Sequence, residues 1–245
     1  MWPVLFRWKR VTIWSYPALL YLGLVFGVLA GNVAAHAAGI NAWGAYLATV
    51  ALMIPALLGA RLLFVAANWQ SYHGQLRRIW HRREGGYVMY GGLAAALLVS
   101  IPLLQWLRLG FGAFWDVSIF TILTGMIFTR VGCFLNGCCA GCESNQWFSA
   151  RLPNSDGVWS RRIPTQLFEA LTGLVLLIAA AQLWSRMPFP GALFLFVTLA
   201  YSSARFVTEF AREAQPQAGR LHLAHVISAI AFLFSASALA IAWPK

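Results

Sequence analysis

Residues 113–142 read AFWDVSIFTILTGMIFTRVGCFLNGCCAGC, an apolar run that passes directly into a stretch of Gly, Cys, Arg and Asn. The run 113–132 is long enough to cross a hydrocarbon core about 30 Å thick as a helix, and it ends where Arg130 would meet the headgroups. Further apolar runs of similar length follow the same reading at 14–31, 43–67, 87–107, 165–184, 190–210 and 222–242, each bounded by charges, Pro or Gly. The sequence therefore predicts an all-α fold, a polytopic membrane bundle of about seven transmembrane helices forming a single membrane-embedded domain over residues 1–245.

Composition agrees. The 245 residues are 60% hydrophobic and only 10% charged, with a mean hydropathy of +0.67, whereas soluble domains carry about 25% charged residues. Unbroken runs, in place of alternating ten-residue segments, argue against a β-barrel. The first run, from Trp14 to about Gly31, reads as a first span and not as a removable leader, because it is long and lacks a clear small-residue cleavage site. The net charge of +11 points to anionic lipid as partner more than to nucleic acid, since Lys and Arg in such a chain sit at headgroups or hold lipid phosphates.

Two connections exceed tight helix turns: 68–86, with Arg77, Arg78, Arg82 and Arg83, and 133–164, with all four Cys, Arg151, Arg161 and Arg162. Seven spans put both on the side of the N-terminus, together with Arg130, Arg212 and Arg220; charge bias alone would make that side cytoplasmic, but arginines kept to bind phosphate would remove the force of that count, so the orientation stays open.

Polar groups within spans mark candidate chemistry, because ionisable residues in lipid are expensive unless they face a partner or a cavity. Arg130 can fork onto a phosphate, and Asn136 beside Gly137 can donate and accept where the backbone approaches a ligand closely. Arg205 and Glu209 are four apart on one helix face. Pro164 and Glu169 suit the start of the fifth span, with Gln166 between them. Arg61 follows Pro55 and Gly59 in the second span; pairing with Glu169 or Glu209 is the plainer reading of it. Tyr90, Gly91 and Gly92 open the third span as either a phenol beside an accessible backbone or an interfacial aromatic beside a helix-packing pair.

In this order the segments resemble prolipoprotein diacylglyceryl transferase. Arg130, Gly132, Phe134, Asn136 and Gly137 are similar to the family's G-R-x-G-N-F-x-N-G, Pro164, Gln166, Leu167 and Glu169 to its P-S-Q-L-Y-E, and Tyr201, Arg205, Phe206, Glu209 and Phe210 to its Y-G-x-x-R-x-x-x-E-F. Trp14-Ser15-Tyr16 and Gly59-Ala60-Arg61-Leu62 resemble weaker motifs. The chain departs from the pattern at Cys133, where the family has Asn, at Cys138, where it has an acidic residue, and at Tyr90-Gly91-Gly92-Leu93, where it has H-G-G-L.

The resemblance implies a transferase that moves the diacylglyceryl group of phosphatidylglycerol to a cysteine thiol and releases glycerol phosphate, in lipoprotein maturation at the bacterial inner membrane. It implies catalytic roles for Arg130, Arg205 and Tyr90, and substrate contacts for Tyr16, Arg61, Gly91, Gly92, Cys133, Asn136, Gly137, Cys138, Gln166, Glu169 and Glu209. The partners would be phosphatidylglycerol or another anionic phospholipid and a thiol-bearing protein or small acceptor; no cofactor and no metal are expected. Two alternatives stay open: a divergent paralogue with another acceptor or with lipid binding or transport alone, and a thiol-redox or metal protein built on the Cys cluster. Against a metal, Cys138 and Cys139 would point apart if the helix continued through them, so Cys side chains lining a lipid pocket are the expectation. His73, His81, His222 and His225 are further titratable groups that no spacing selects.

Overall fold

A computed structural model describes residues 2–8, 11–74, 79, 88–154, 157–212 and 223–243. Arg77, Arg78, Arg82, Arg83, His81, Arg220 and His222 lie outside the described residues. The elements are β1 (Val4–Trp8), β2 (Val11–Trp14), α1 (Ser15–Ala37), α2 (Ala42–Ala67), α3 (Trp69–Tyr72), α4 (Met89–Trp106), α5 (Phe111–Asn136), β3 (Ala150–Pro153), β4 (Trp159–Arg162), α6 (Thr165–Leu183), α7 (Ala192–Phe210) and α8 (Leu223–Ala242).

Six of these helices are long and apolar enough to cross a membrane, and α4 is a shorter seventh apolar helix. The chain is an all-α, multi-pass membrane bundle, and each span expected from the sequence is present, the first of them running six residues further than expected, to Ala37. Two short hairpins are additions to that expectation. β1 and β2 pair antiparallel from Val4↔Trp14 to Trp8↔Val11, and β3 and β4 from Ala150↔Arg162 to Pro153↔Trp159. Ser15, fully buried, donates its hydroxyl to the Trp2 carbonyl and fixes the first hairpin to the start of α1.

Two compact units are present: residues 1–34 with 115–245, and residues 35–114. In the second, α2 and α4 cross at glycine. A Cβ on Gly92 would meet the Ala56 carbonyl at 2.7 Å, and Gly59 and Gly91 approach each other more closely still. Backbone-to-backbone approach of this kind is how apolar helices associate in lipid, where burial from water offers no drive. The packing reading thus accounts for Gly91 and Gly92.

In the first unit α1 uses Gly23 and Gly27, four residues apart, against α5. A Cβ on Gly27 would meet the Thr121 carbonyl at 2.8 Å, and one on Gly23 the Phe128 Cβ at 2.8 Å. Ile119, Leu123, Leu176, Ala180, Leu193 and Val197 join α5, α6 and α7 in one buried cluster. Asp116 of α5 is 4% exposed and accepts from the backbone N–H groups of Gly191 (2.6 Å) and Phe194 (2.9 Å) at the head of α7. It supplies from a neighbouring helix the cap that α7 lacks on its own side chains, and its charge matches the positive end of the helix.

Asp116→Ala would leave both partly buried N–H groups without that acceptor. Loss of about 1–3 kcal/mol per unmet donor is expected, read as a fall in the thermal unfolding midpoint in detergent; an unchanged midpoint would refute the cap.

Candidate functional site

Helix α5 ends at Asn136 because Gly137 takes φ +78°, outside the helical range. The Gly137 N–H bonds to the Phe134 carbonyl (3.2 Å) and the Cys138 N–H to the Cys133 carbonyl (3.0 Å). This is the paired closure of a helix end by a left-handed glycine, and it brings the residue after the glycine back onto the last full turn. Cys138 therefore lies over Cys133. Cys139 is itself left-handed, at φ +64°, an uncommon state for a residue with a side chain.

The result is that the Sγ atoms of Cys133, Cys138 and Cys139 all lie within 4.8 Å of one another. The expectation that Cys138 and Cys139 point apart is corrected here. It assumed a helix running through both, whereas Asn136-Gly137 ends the helix and two left-handed residues fold the chain back. Cys142 is elsewhere, its Sγ donating to the Arg212 carbonyl at 3.0 Å.

The thiol loop is stitched to the starts and ends of other helices. Thr165 Oγ1 donates to the Cys139 carbonyl (2.9 Å) and Gln166 Nε2 to the Cys138 carbonyl (2.6 Å), both from the first turn of α6. Gly141 N–H reaches the Ile163 carbonyl and Cys142 N–H the Ala211 carbonyl, each at 2.9 Å. A Cβ on Gly141 would meet Thr165 Cγ2 at 2.9 Å, so this close passage needs glycine. Buried Arg162 of β4 donates to the Gly141 carbonyl (3.3 Å) and to Glu143 (3.1 Å).

One turn further along α6, Glu169 is 3% exposed and holds two arginines at once. Its Oε2 is 2.6 Å from Arg130 Nε of α5, and its Oε1 is 2.5 Å from Arg205 Nη1 of α7. Arg205 Nη2 is also 2.7 Å from Glu209 Oε2, as the spacing of four predicts. Arg212 approaches both carboxylates at 4.0 Å. Three guanidiniums thus face two carboxylates in a buried cluster with one positive charge in excess, a setting that favours an added anion.

Tyr16, at the start of α1, packs along Gly132, and its phenol is within electrostatic reach of Arg130 and the three thiols. The Asn136 side chain donates to the Cys138 sulfur. Hydrogen bonds from Cys133 and Cys138, with Arg212 and Arg130 nearby, hold the exposed Cys139 thiol far below the ordinary thiol range.

Of the expected site residues, Tyr16, Arg130, Cys133, Asn136, Gly137, Cys138, Gln166, Glu169, Arg205 and Glu209 all belong to this one unit. Arg61, Tyr90, Gly91 and Gly92 belong to the other, where Arg61 Nε donates to the Ile79 carbonyl at 2.8 Å and its guanidinium lies 5.7 Å from the Phe64 and Tyr72 rings. Tyr90 is half-buried on the first turn of α4. Arg212, Thr165 and Cys139 were not expected in the site. Arg212 follows Glu209 by three, which is a readable pairing signal; the role of Thr165 depends on a carbonyl twenty-six residues away and leaves none.

A family model for prolipoprotein diacylglyceryl transferase matches residues 3–241. The chain belongs to that family. It is accordingly a membrane transferase. Curated relatives named phosphatidylglycerol–prolipoprotein diacylglyceryl transferase include one from Clostridium botulinum strain Hall, 24% identical over 95% of this chain and 94% of the relative. One from Bacillus mycoides strain KBAB4 is 28% identical over 88% of this chain and 83% of its own length. A third, from Clostridium kluyveri, is 25% identical over 96% and 94%.

Removing one partner of a buried ion cluster strands the others. Glu169→Ala should destabilise the protein by about 3–5 kcal/mol, whereas Glu143→Ala, whose side chain is 66% exposed, should change stability by no more than about 1 kcal/mol. Unfolding midpoints of the two variants in the same detergent check the contrast, and equal shifts would contradict it.

Proposed function

We propose that this chain transfers the diacylglyceryl group of phosphatidylglycerol, or of a similar anionic phospholipid, to the thiol of a lipoprotein precursor at the bacterial inner membrane. The observation that carries the reading is the buried cluster of Arg130, Arg205 and Arg212 around Glu169 and Glu209, with its excess positive charge. The names of the relatives support the same donor and acceptor.

The reaction forms a bond from the thiol sulfur to a glyceryl carbon and breaks that carbon's bond to phosphate. The electron pair leaves on the phosphate oxygen, and the thiol proton goes to water or to the released glycerol phosphate. Negative charge therefore grows on the phosphate as the C–O bond stretches. Guanidiniums already fixed in place by buried carboxylates need no rearrangement to meet it, so they stabilise the transition state more than the ground state. In this reading Arg130 and Arg205 grip the phosphate, Arg212 supports them, and Glu169 and Glu209 orient all three. Asn136 and Gln166 shape the loop beside them, and Tyr16 borders the lipid.

The test uses the full chain in detergent with phosphatidylglycerol and a peptide bearing a lipobox cysteine, following released glycerol phosphate and peptide mass together. A peptide heavier by one diacylglyceryl group is expected, with the rate reduced by about 10²–10³-fold in Arg130→Ala. No release under conditions where a relative is active would overturn the transfer and leave lipid binding alone.

A further inference from the structure

A thiol is a weak nucleophile until it loses its proton, and the charged cluster offers poor means of removing it. Glu169 and Glu209 are each bound to arginine, so their oxygens are already engaged. His225, the histidine of this unit among the described residues, is 4% exposed and packed against the Phe206 and Phe210 rings at 5.2 and 4.6 Å.

Beside the same arginines stand three thiols whose sulfur atoms lie within 4.8 Å of one another. A tetrahedral Zn²⁺ with Zn–S bonds of about 2.3 Å separates its sulfurs by about 3.8 Å, so the three need only close slightly around an ion. Their backbone is braced for it. The Schellman closure fixes Cys138 over Cys133, and Thr165 and Gln166 hold the carbonyls of Cys139 and Cys138. The left-handed Cys139 is the kind of local strain that surrounding structure maintains where a side chain must be aimed. Cys133 is buried while Cys139 is exposed, which leaves one side of the triad open to an incoming ligand.

We propose that Cys133, Cys138 and Cys139 hold a Zn²⁺ ion whose fourth position takes the acceptor thiol during transfer. Three protein ligands with one open position is the form of a catalytic zinc site, and a thiol bound to zinc is deprotonated outright. Zinc with three thiolates carries one net negative charge, which the one positive charge in excess among the neighbouring arginines and carboxylates offsets. The acceptor thiol gives its proton to water on coordination. Its sulfur lone pair then forms the bond to the glyceryl carbon, the C–O pair leaves with glycerol phosphate, and zinc stays Zn²⁺. The product thioether is a neutral, weak ligand, so it leaves and the fourth position reopens. The proposal rests on the transferase reading above, but the site itself is tested apart from turnover.

Full-length protein expressed with zinc in the medium and purified without chelator should contain about one zinc per chain. Cys139→Ser should hold less than about a tenth of that, while Cys142→Ser, outside the triad, should keep it. Protein reconstituted with Co²⁺ should show sulfur-to-cobalt charge transfer, and its visible bands should shift on adding the cysteine peptide but not the same peptide with serine. Zinc-free wild-type protein with all its thiols reduced, equal zinc in Cys139→Ser, or a cobalt spectrum indifferent to the cysteine peptide would each overturn the proposal. So would full transfer by chelated protein, which would leave the transferase reading intact. Zinc and peptide ligation without glycerol phosphate release would sustain the site and overturn that reading.

Discussion

Everything in the larger unit turns on one buried carboxylate. Glu169 is inaccessible and charged, a combination that low-dielectric surroundings forbid unless cations stand against it. Arg130 and Arg205 meet that demand from two other helices, so a single side chain on α6 fixes where α5 and α7 end relative to it. The dependence runs both ways, because each arginine would be equally untenable in lipid without the carboxylate. The arrangement is held in place, because these groups cannot move apart without stranding a buried charge.

The loop from Gly137 to Pro164 extends this control to groups that carry no fixed charge. Thr165, Gln166 and Glu169 lie along the first turns of α6, the first two holding the carbonyls of Cys139 and Cys138 and the third holding the arginines. Whatever moves the start of α6 moves both. The arginine cluster and the thiol-bearing loop are thus coupled through a few residues of one helix, and a disturbance at Gly141, where three segments pass closely, would reach both.

The seven spans were legible because lipid imposes a length and a composition that the chain cannot disguise. The Arg205–Glu209 pair was legible because four residues make a helical turn. Three things were hidden for definite physical reasons. Both hairpins are short and two-stranded, and the first carries Phe6, Trp8 and Trp14, so it merges with the interfacial signal of the neighbouring span. The meeting of Cys133, Cys138 and Cys139 depends on left-handed backbone at Gly137 and at Cys139, and only the first of these is foreshadowed by residue type. The partnership of Glu169 with arginines thirty-six and thirty-nine residues away is a tertiary fact, for which the sequence offers candidates but not a choice.

The unit that holds this cluster is discontinuous in the chain, made of residues 1–34 and 115–245 with another compact unit between them. Its α1 turns Gly23 and Gly27 toward α5, which a ribosome delivers only after the whole intervening unit has been made. Assembly of the site is therefore tied to the end of synthesis, since Arg205 and Glu209 come later still. A chain truncated before α7 would keep Arg130 and Glu169 but lack Arg205 and Glu209.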